Sequence, residues 1–384
     1  MRKQYDIAAY VWPSYTGDDP RTRIFWPEGI GEWQTVKNAV SKFPGHSWPR
    51  TPLWGYVNEA DPYVMEMQIN AAADHGVNVF IYDWYWYDGR PFLETCLNNG
   101  YLKARNNDRV KFYIMWANHD VSYTWDIRNS SSDFTRRAVP FDKIWAGSAD
   151  RTQFDIICRR MFDKYFRHPS YYRIDGCPVF LIYDIPNLIN GLGGLEETKR
   201  AMAAFRELAH REGFPGVHIQ ACLWGDAMDF TLTGVDGNRR VFSSDVIKTL
   251  AFDSITNYQY VHFLKTECPY PEILPRLQAQ YKKNASWPIP YFPHVSVGWD
   301  NNPRYPRECV IPNVITENGP ENFEKALLLA REYIDAHTDQ PPLITLNSWN
   351  EWTETSYIQP DDLYGYGYLE AVKRVFMRKG LDTL

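Results

Sequence analysis

The stretch PENFEKALLLAREYIDAHTDQPPLITLNSWNEWTE, Pro320 to Glu354, holds a complete helix-to-strand unit. Phe323, Ala326, Leu327, Ala330 and Ile334 recur at i, i+3, i+4, i+7 and i+11, one apolar stripe of a helix that Pro320 can open. Leu343 to Asn347 follows as a short apolar run, read as a buried strand. It leads directly into Glu351 and Glu354, two carboxylates three residues apart among indoles and amides. Acids held close at a strand's carboxyl end can be kept in different protonation states, so that one donates a proton while the other accepts one. A lone E-x-x-E is otherwise a solvated loop acid with a second at helix-cap spacing.

The same alternation runs along the whole chain. Strands are expected at Tyr5 to Tyr10, Val77 to Tyr82, Lys111 to Trp116, Val179 to Tyr183, Val217 to Leu223, Ser254 to Asn257, Tyr291 to Val295 and Leu343 to Asn347. Helical periodicity fits 62–75, 151–166, 193–212 and 271–284, and Gly76 and Gly213 stand where a left-handed residue would end a helix. Eight β/α alternations predict an α/β chain closed into a parallel (β/α)8 TIM barrel, since each crossover helix returns the chain to the same end of the sheet. The 384 residues are within reach of one barrel with long loops, so a single catalytic domain spanning 1–384 is expected. The long connections, 11–61, 117–150 and 296–319, should lie on the catalytic face.

Residues just past each strand should therefore converge. Nearly every strand ends in an aromatic and a carboxylate or amide: Trp12, then Asp83 and Trp84, then Trp116, Asn118 and His119, and later Tyr258, Trp299 and the run Asn347 to Glu354. Flat rings beside carboxylates suit a sugar, whose apolar face stacks while its hydroxyls are hydrogen-bonded. Tyr10, Trp12, Trp84, Trp116, Tyr258, Trp299 and Trp352 are stacking candidates, each equally able to pack at the barrel rim. Asp83 and His119 are candidates for hydroxyl contact or for loop hydrogen bonds. Asn118, Asn347 and Asn350 can orient hydroxyls or satisfy strand ends.

Composition narrows the partner. A net charge of −6 with no basic block argues against nucleic acid or an anionic membrane surface. No apolar run reaches the roughly 18 to 20 residues of a membrane span, and Met1-Arg-Lys-Gln-Tyr-Asp lacks a signal-peptide core. A soluble chain is expected, cytoplasmic as written or exported if a leader has been removed. The six cysteines are far apart with no C-x-x-C or metal-ligand rhythm, so neither metal nor cofactor is expected. Fifteen Trp, 26 Tyr and 20 Phe exceed what a core needs and leave a glycan as the expected partner. Nothing in the pattern sets the oligomeric state.

The blocks Gly76 to Gly89, Trp116-Ala-Asn118, His168 to Val179, Gly298-Trp-Asp-Asn-Asn-Pro303 and Asn347 to Glu354 occur in the order of the WbsX-type domain family, and from about residue 5 to 375 the chain resembles it. That family is also described as glycoside hydrolase family 99-like. The resemblance implies a metal-independent (β/α)8 barrel related to endo-acting α-mannosidases and α-mannanases. It further implies retaining hydrolysis without an enzyme nucleophile. Glu351 would take the proton from the sugar 2-OH, whose oxygen attacks the anomeric carbon to give a 1,2-anhydro sugar, while Glu354 protonates the leaving oxygen. This differs from the usual scheme in which a carboxylate bonds to the sugar. Thr355 stands where the family usually has Gly, and Gln359 where it usually has Glu.

Two other classes compete. A glycosyltransferase of polysaccharide biosynthesis would need a diphosphate site, and the sole Gly cluster, Gly191-Leu-Gly-Gly194, follows no suitable strand. A non-catalytic carbohydrate-binding protein would keep its affinity with both glutamates changed to Gln.

Overall fold

A computed structural model describes residues 4–121, 125, 143–225, 227–231 and 238–377. Asp226 and most of the connection 117–150 lie outside the described residues. The eight barrel strands are β1 (Asp6–Val11), β2 (Val79–Tyr87), β3 (Lys111–Trp116), β4 (Cys177–Ile182), β5 (His218–Cys222), β6 (Ser254–Thr256), β7 (His294–Ser296) and β8 (Leu343–Asn347). They are parallel and neighbour one another in the order β6-β5-β4-β3-β2-β1-β8-β7. A short parallel bridge between Ile255 and Tyr291, just ahead of β7, closes the ring. The expected α/β barrel is the observed one.

The elements form for legible reasons. Asp61 and Asp150 cap helices Pro62–Asp74 and Arg151–Met161, accepting from the amides of Tyr63 and Gln153. Gly76 and Gly213 have φ of 92° and 84°, the left-handed conformation that glycine adopts without a Cβ clash. Helix Pro320–Ala336 buries its stripe of Phe323, Ala326, Leu327, Ala330 and Ile334. Where 151–166 was expected as one helix, the α-helix stops at Met161 and continues as a wider turn over Phe162–Phe166, which buries Phe162, Tyr165 and Phe166 together. A β-hairpin after β5, Ala227–Thr231 with Asn238–Phe242, was not foreseen.

The correction that matters most is β2. Its strand does not stop at Tyr82 but runs through Tyr87, every residue of it buried. Asp83 to Trp86 is therefore strand, not loop, and successive side chains point to opposite faces. Inside the barrel the polar side chains pair among themselves, as burial requires. Tyr113 reaches Gln220 at 3.2 Å, and Thr345 bonds both Thr256 at 2.9 Å and His294 at 3.0 Å. This lumen supports the floor of the site, where Tyr10 lies edge-on beneath Tyr258 at 4.8 Å between ring centroids.

Candidate active site

A cavity of about 230 Å³ opens at the carboxyl ends of the strands, lined by residues from all eight strand ends and the connections that follow them. Among the described residues its acids are Asp83, Glu351 and Glu354, its guanidinium is that of Arg304, and its rings include Trp12, Tyr85, His119, Trp125, Tyr183, Trp224 and Tyr258.

Arg304 organises the carboxylates. Its Nη1 donates to Glu354 Oε1 at 2.7 Å, Nη2 to Glu351 Oε2 at 3.2 Å, and Nε to Glu32 Oε1 at 3.1 Å. Glu32, wholly buried, is held in turn by the Trp12 indole N–H and by Thr353 Oγ1 at 3.0 Å. The loop carrying Arg304 is anchored at Asp300 by backbone and side chain. The Asp300 amide donates to the Glu354 carbonyl at 2.8 Å, and the Asp300 carboxylate meets His46 Nε2 at 2.7 Å. Burial raises the Asp300 carboxyl, but the bonds from His46 and Asn302 outweigh it and hold it below its ordinary value.

Both catalytic candidates are pushed toward their neutral forms. Burial raises Glu351 well above the ordinary range, and the nearby Glu354 charge adds to it. Burial raises Glu354 too, while the close Arg304 guanidinium pulls back. Each carboxyl is therefore held above its ordinary value, with Arg304 opposing the rise at both. Tyr258 Oη lies 2.9 Å from Asp83 Oδ2 and 3.1 Å from Glu351 Oε1. Burial keeps this phenol neutral and also raises Asp83 well above its ordinary value. His119 bonds the Asp120 carbonyl through Nδ1 at 3.0 Å, which places its proton there and leaves Nε2 with an acceptor lone pair. Burial lowers its pKa, so the ring is neutral.

Of the residues singled out in the sequence, the cavity brings together Trp12, Asp83, His119, Tyr258, Glu351 and Glu354. The others stand behind its walls. Trp84 points away from the barrel, stacks on Trp86 at 5.8 Å and donates to Glu94 at 2.7 Å. Trp116 faces Phe154 of helix Arg151–Met161, while its neighbours Met115 and Ala117 line the cavity. Tyr10 donates to the Asn257 carbonyl at 3.0 Å. Trp299 packs half-buried against the core. Trp352 stacks on Tyr357 at 3.8 Å. Asn118 clamps the Asp184 backbone by its N–H at 2.8 Å and its carbonyl at 2.7 Å. Asn347 accepts from Gln259, and Asn350 bonds both the amide and the carbonyl of Trp12 as well as Glu59.

Glu32, Tyr183 and Arg304 were missed, and Tyr85 and Trp224, which stand at the ends of the second and fifth strands, were not taken up as site residues. Strand parity from Asp83 would have found Tyr85, whereas nothing in the local pattern marks Glu32 or Arg304. The two departures from the family pattern have local accounts. Thr355 adopts a φ of 53°, the region that favours glycine, and is anchored there by the Trp48 indole at 2.8 Å and the Asp300 carbonyl at 3.1 Å. Gln359 donates to buried Glu59 at 2.9 Å and accepts from Trp352 at 2.7 Å, where a second carboxylate would repel Glu59. Among the described residues no group of three or more His, Cys, Asp or Glu side chains is arranged to hold a metal ion, and no helix is long and apolar enough to cross a membrane.

A family model described as Glycosyltransferase WbsX matches residues 7–372. Uncharacterized protein WxcX of Xanthomonas campestris pv. campestris is 24% identical over 361 residues, covering 94% of this chain and 48% of its own length. The chain therefore spans about half the length of that curated relative. Among solved structures, the GH99 endo-α-mannosidase of Bacteroides thetaiotaomicron aligns with a TM-score of 0.57 at 16% identity, over 96% of each chain. A second structure, named a glycoside hydrolase-like protein, aligns at 0.62 and 14% identity over 98% of this chain and 94% of its own. These likenesses establish a shared fold.

Proposed function

Because the chain belongs to the WbsX family, we propose that it is a glycosidase that cleaves α-linked glycans of mannose or rhamnose configuration with retention, using Glu351 and Glu354. One observation carries this reading. Both glutamates are buried on the wall of one ring-lined cavity at the carboxyl face of the barrel and are gripped by a single guanidinium. Burial and like charge are the means by which carboxyl groups are made to work as acid and base near neutral pH.

The roles follow the resemblance. Glu351 takes the proton of the sugar 2-OH, the freed oxygen closes a 1,2-anhydro ring, and Glu354 protonates the leaving oxygen. Water opens the ring with both roles reversed. In the free protein Arg304 favours the ionised form of Glu354. Burial outweighs that pull and holds the Glu354 carboxyl above its ordinary value, the direction an acid needs.

The family's description as a glycosyltransferase suggests a nucleotide-sugar donor. The cavity gives that reading little support, since a diphosphate would meet Asp83, Glu351 and Glu354, while Arg304 is already engaged by three carboxylates.

The test is release of reducing ends from α-mannosides, α-rhamnosides and whole polysaccharides. Glu354→Gln should cripple turnover of natural glycans yet spare substrates with a good leaving group, which need no protonation. Equal loss on both would place the acid elsewhere. A 2-fluoro analogue should bind without trapping an ester on Glu351, and detection of such an adduct by intact mass would replace the anhydro route with an ordinary retaining one. Glycan binding that survives Gln at both positions, with no reducing ends released by the wild type, would make the protein a binder.

A further inference from the structure

The Tyr258 hydroxyl has one proton and two carboxylate neighbours. Its oxygen sits at hydrogen-bond distance from Asp83 Oδ2 and from Glu351 Oε1, 2.9 and 3.1 Å away. A phenol can donate along only one of these lines. Both contacts are satisfied when one carboxyl carries a proton and donates to the phenol oxygen, while the phenol donates to the other. Asp83 is 3% exposed, lines the cavity, and its Oδ1 has no hydrogen-bond partner among the described residues.

We propose that Asp83 is the proton sink that turns Glu351 into a base, sharing one proton with it through Tyr258. In the shift, the Glu351 O–H bond breaks as a new O–H forms on Tyr258. The original Tyr258 O–H breaks as one forms on Asp83. The triad keeps its total charge, Tyr258 is regenerated, and Glu351 is left ionised toward the sugar. This deepens the glycosidase reading and rests on it for its catalytic meaning. It also bears on a demand of that reading, because burial disfavours the charged form that Glu351 needs as a base, and the Tyr258 bridge gives its proton a second place to sit. Asp83 is on this account a positioning residue, acting through Glu351.

The surroundings suit a shared proton. Facing Asp83 are the hydroxyls of Tyr10, Tyr85 and Tyr183 and the Cys222 thiol, all kept neutral by burial. Among the described residues the charged groups around the triad are Glu354, Arg304 and Glu32, and Arg304 contacts Glu351. That contact favours ionised Glu351 whenever Asp83 holds the proton. His119 on the same wall is neutral and adds no charge.

The experiment is the pH profile of kcat on an activated aryl glycoside, where Glu354 need not donate. Asp83→Asn cannot take the proton, so Glu351 must lose it to solvent, and the acid limb should move up by about one pH unit or more with KM little changed. Tyr258→Phe keeps both carboxyls but cuts the link, and should move the limb in the same direction. Both profiles superimposing on the wild type would overturn the proposal. So would a rise in KM alone in Asp83→Asn, which would make Asp83 a contact to sugar hydroxyls. If no glycoside is turned over, the function fails and the shared proton is still readable. The infrared band of neutral carboxyl should titrate with a shifted midpoint in Tyr258→Phe, and an unchanged midpoint overturns the shared proton.

Discussion

The two faces of β2 carry the same kinds of residue and do different things. Asp83 and Tyr85 look into the cavity, whereas Trp84 and Trp86 stack on each other and bond Glu94 and Gln153 on the outer side. The loop after β8 divides the same way. Glu351 and Glu354 face the cavity, while Asn350 and Trp352 join Glu59 and Gln359 in a buried polar layer behind it. Residue type at a strand end is therefore a poor guide to the site. The direction of the side chain decides, and the layer behind holds the first in place.

If this division is real, substitutions behind the wall should cost stability and those on it should cost chemistry. The largest effect is expected at Trp84, an indole 2% exposed. Trp84→Ala should lower unfolding free energy by about 3 to 5 kcal/mol in denaturant titration, with ligand affinity of the folded protein unchanged. Weakened binding at undiminished stability would break the comparison.

Glu59 sharpens it through pH. Burial pushes its carboxyl up to about 7 from 4.5, against the opposing bonds from Gln359, Gln68 and Asn350. The folded protein therefore binds more protons than the unfolded chain between these values. Stability should be fully present below the unfolded value and fall as pH rises toward and through 7, by on the order of 3 kcal/mol from this group. Glu59→Gln should flatten that slope in melts recorded across the window, and a parallel slope in the variant would assign it to other acids.

On the cavity side, Glu351→Gln should depress kcat by a factor of order 10² or more, about 2.7 kcal/mol, on natural and activated substrates alike. Its melting temperature should not fall, because Gln is an isostere that removes a carboxyl whose charged form burial disfavours. The smallest effect is expected at Trp224, which lines the cavity 41% exposed and stacks on His262 at 4.4 Å. Trp224→Ala should weaken glycan binding by about 1 to 2 kcal/mol, read by calorimetry, and leave stability nearly intact. The opposite pattern would return it to packing.

The barrel was legible because its signals are local and periodic. Helix stripes, capping aspartates and Gly76 and Gly213 each report on a few neighbouring residues, and eight repetitions leave one parallel closure. The pair Glu351 and Glu354 was legible for the same reason, as a short block at the end of a strand. The indoles were not. Reading Asp83 to Trp86 as a loop ignored the alternation of a strand that runs to Tyr87, and with it the fact that Trp84 must face away from Asp83.

What the sequence by itself determined is the order of strands and helices, the face on which their loops gather, and the two glutamates among them. The tertiary structure alone decided which rings meet the cavity. It also brought Glu32, from the first long connection, and Arg304, from the seventh, into contact with that pair. The physical reason is range. Periodicity records what a residue does to its own element, but the proton affinity of a buried carboxyl depends on desolvation and on charges that chain closure brings within a few ångströms. Glu32 and Arg304 are 272 residues apart along the chain, and no local pattern could have paired them.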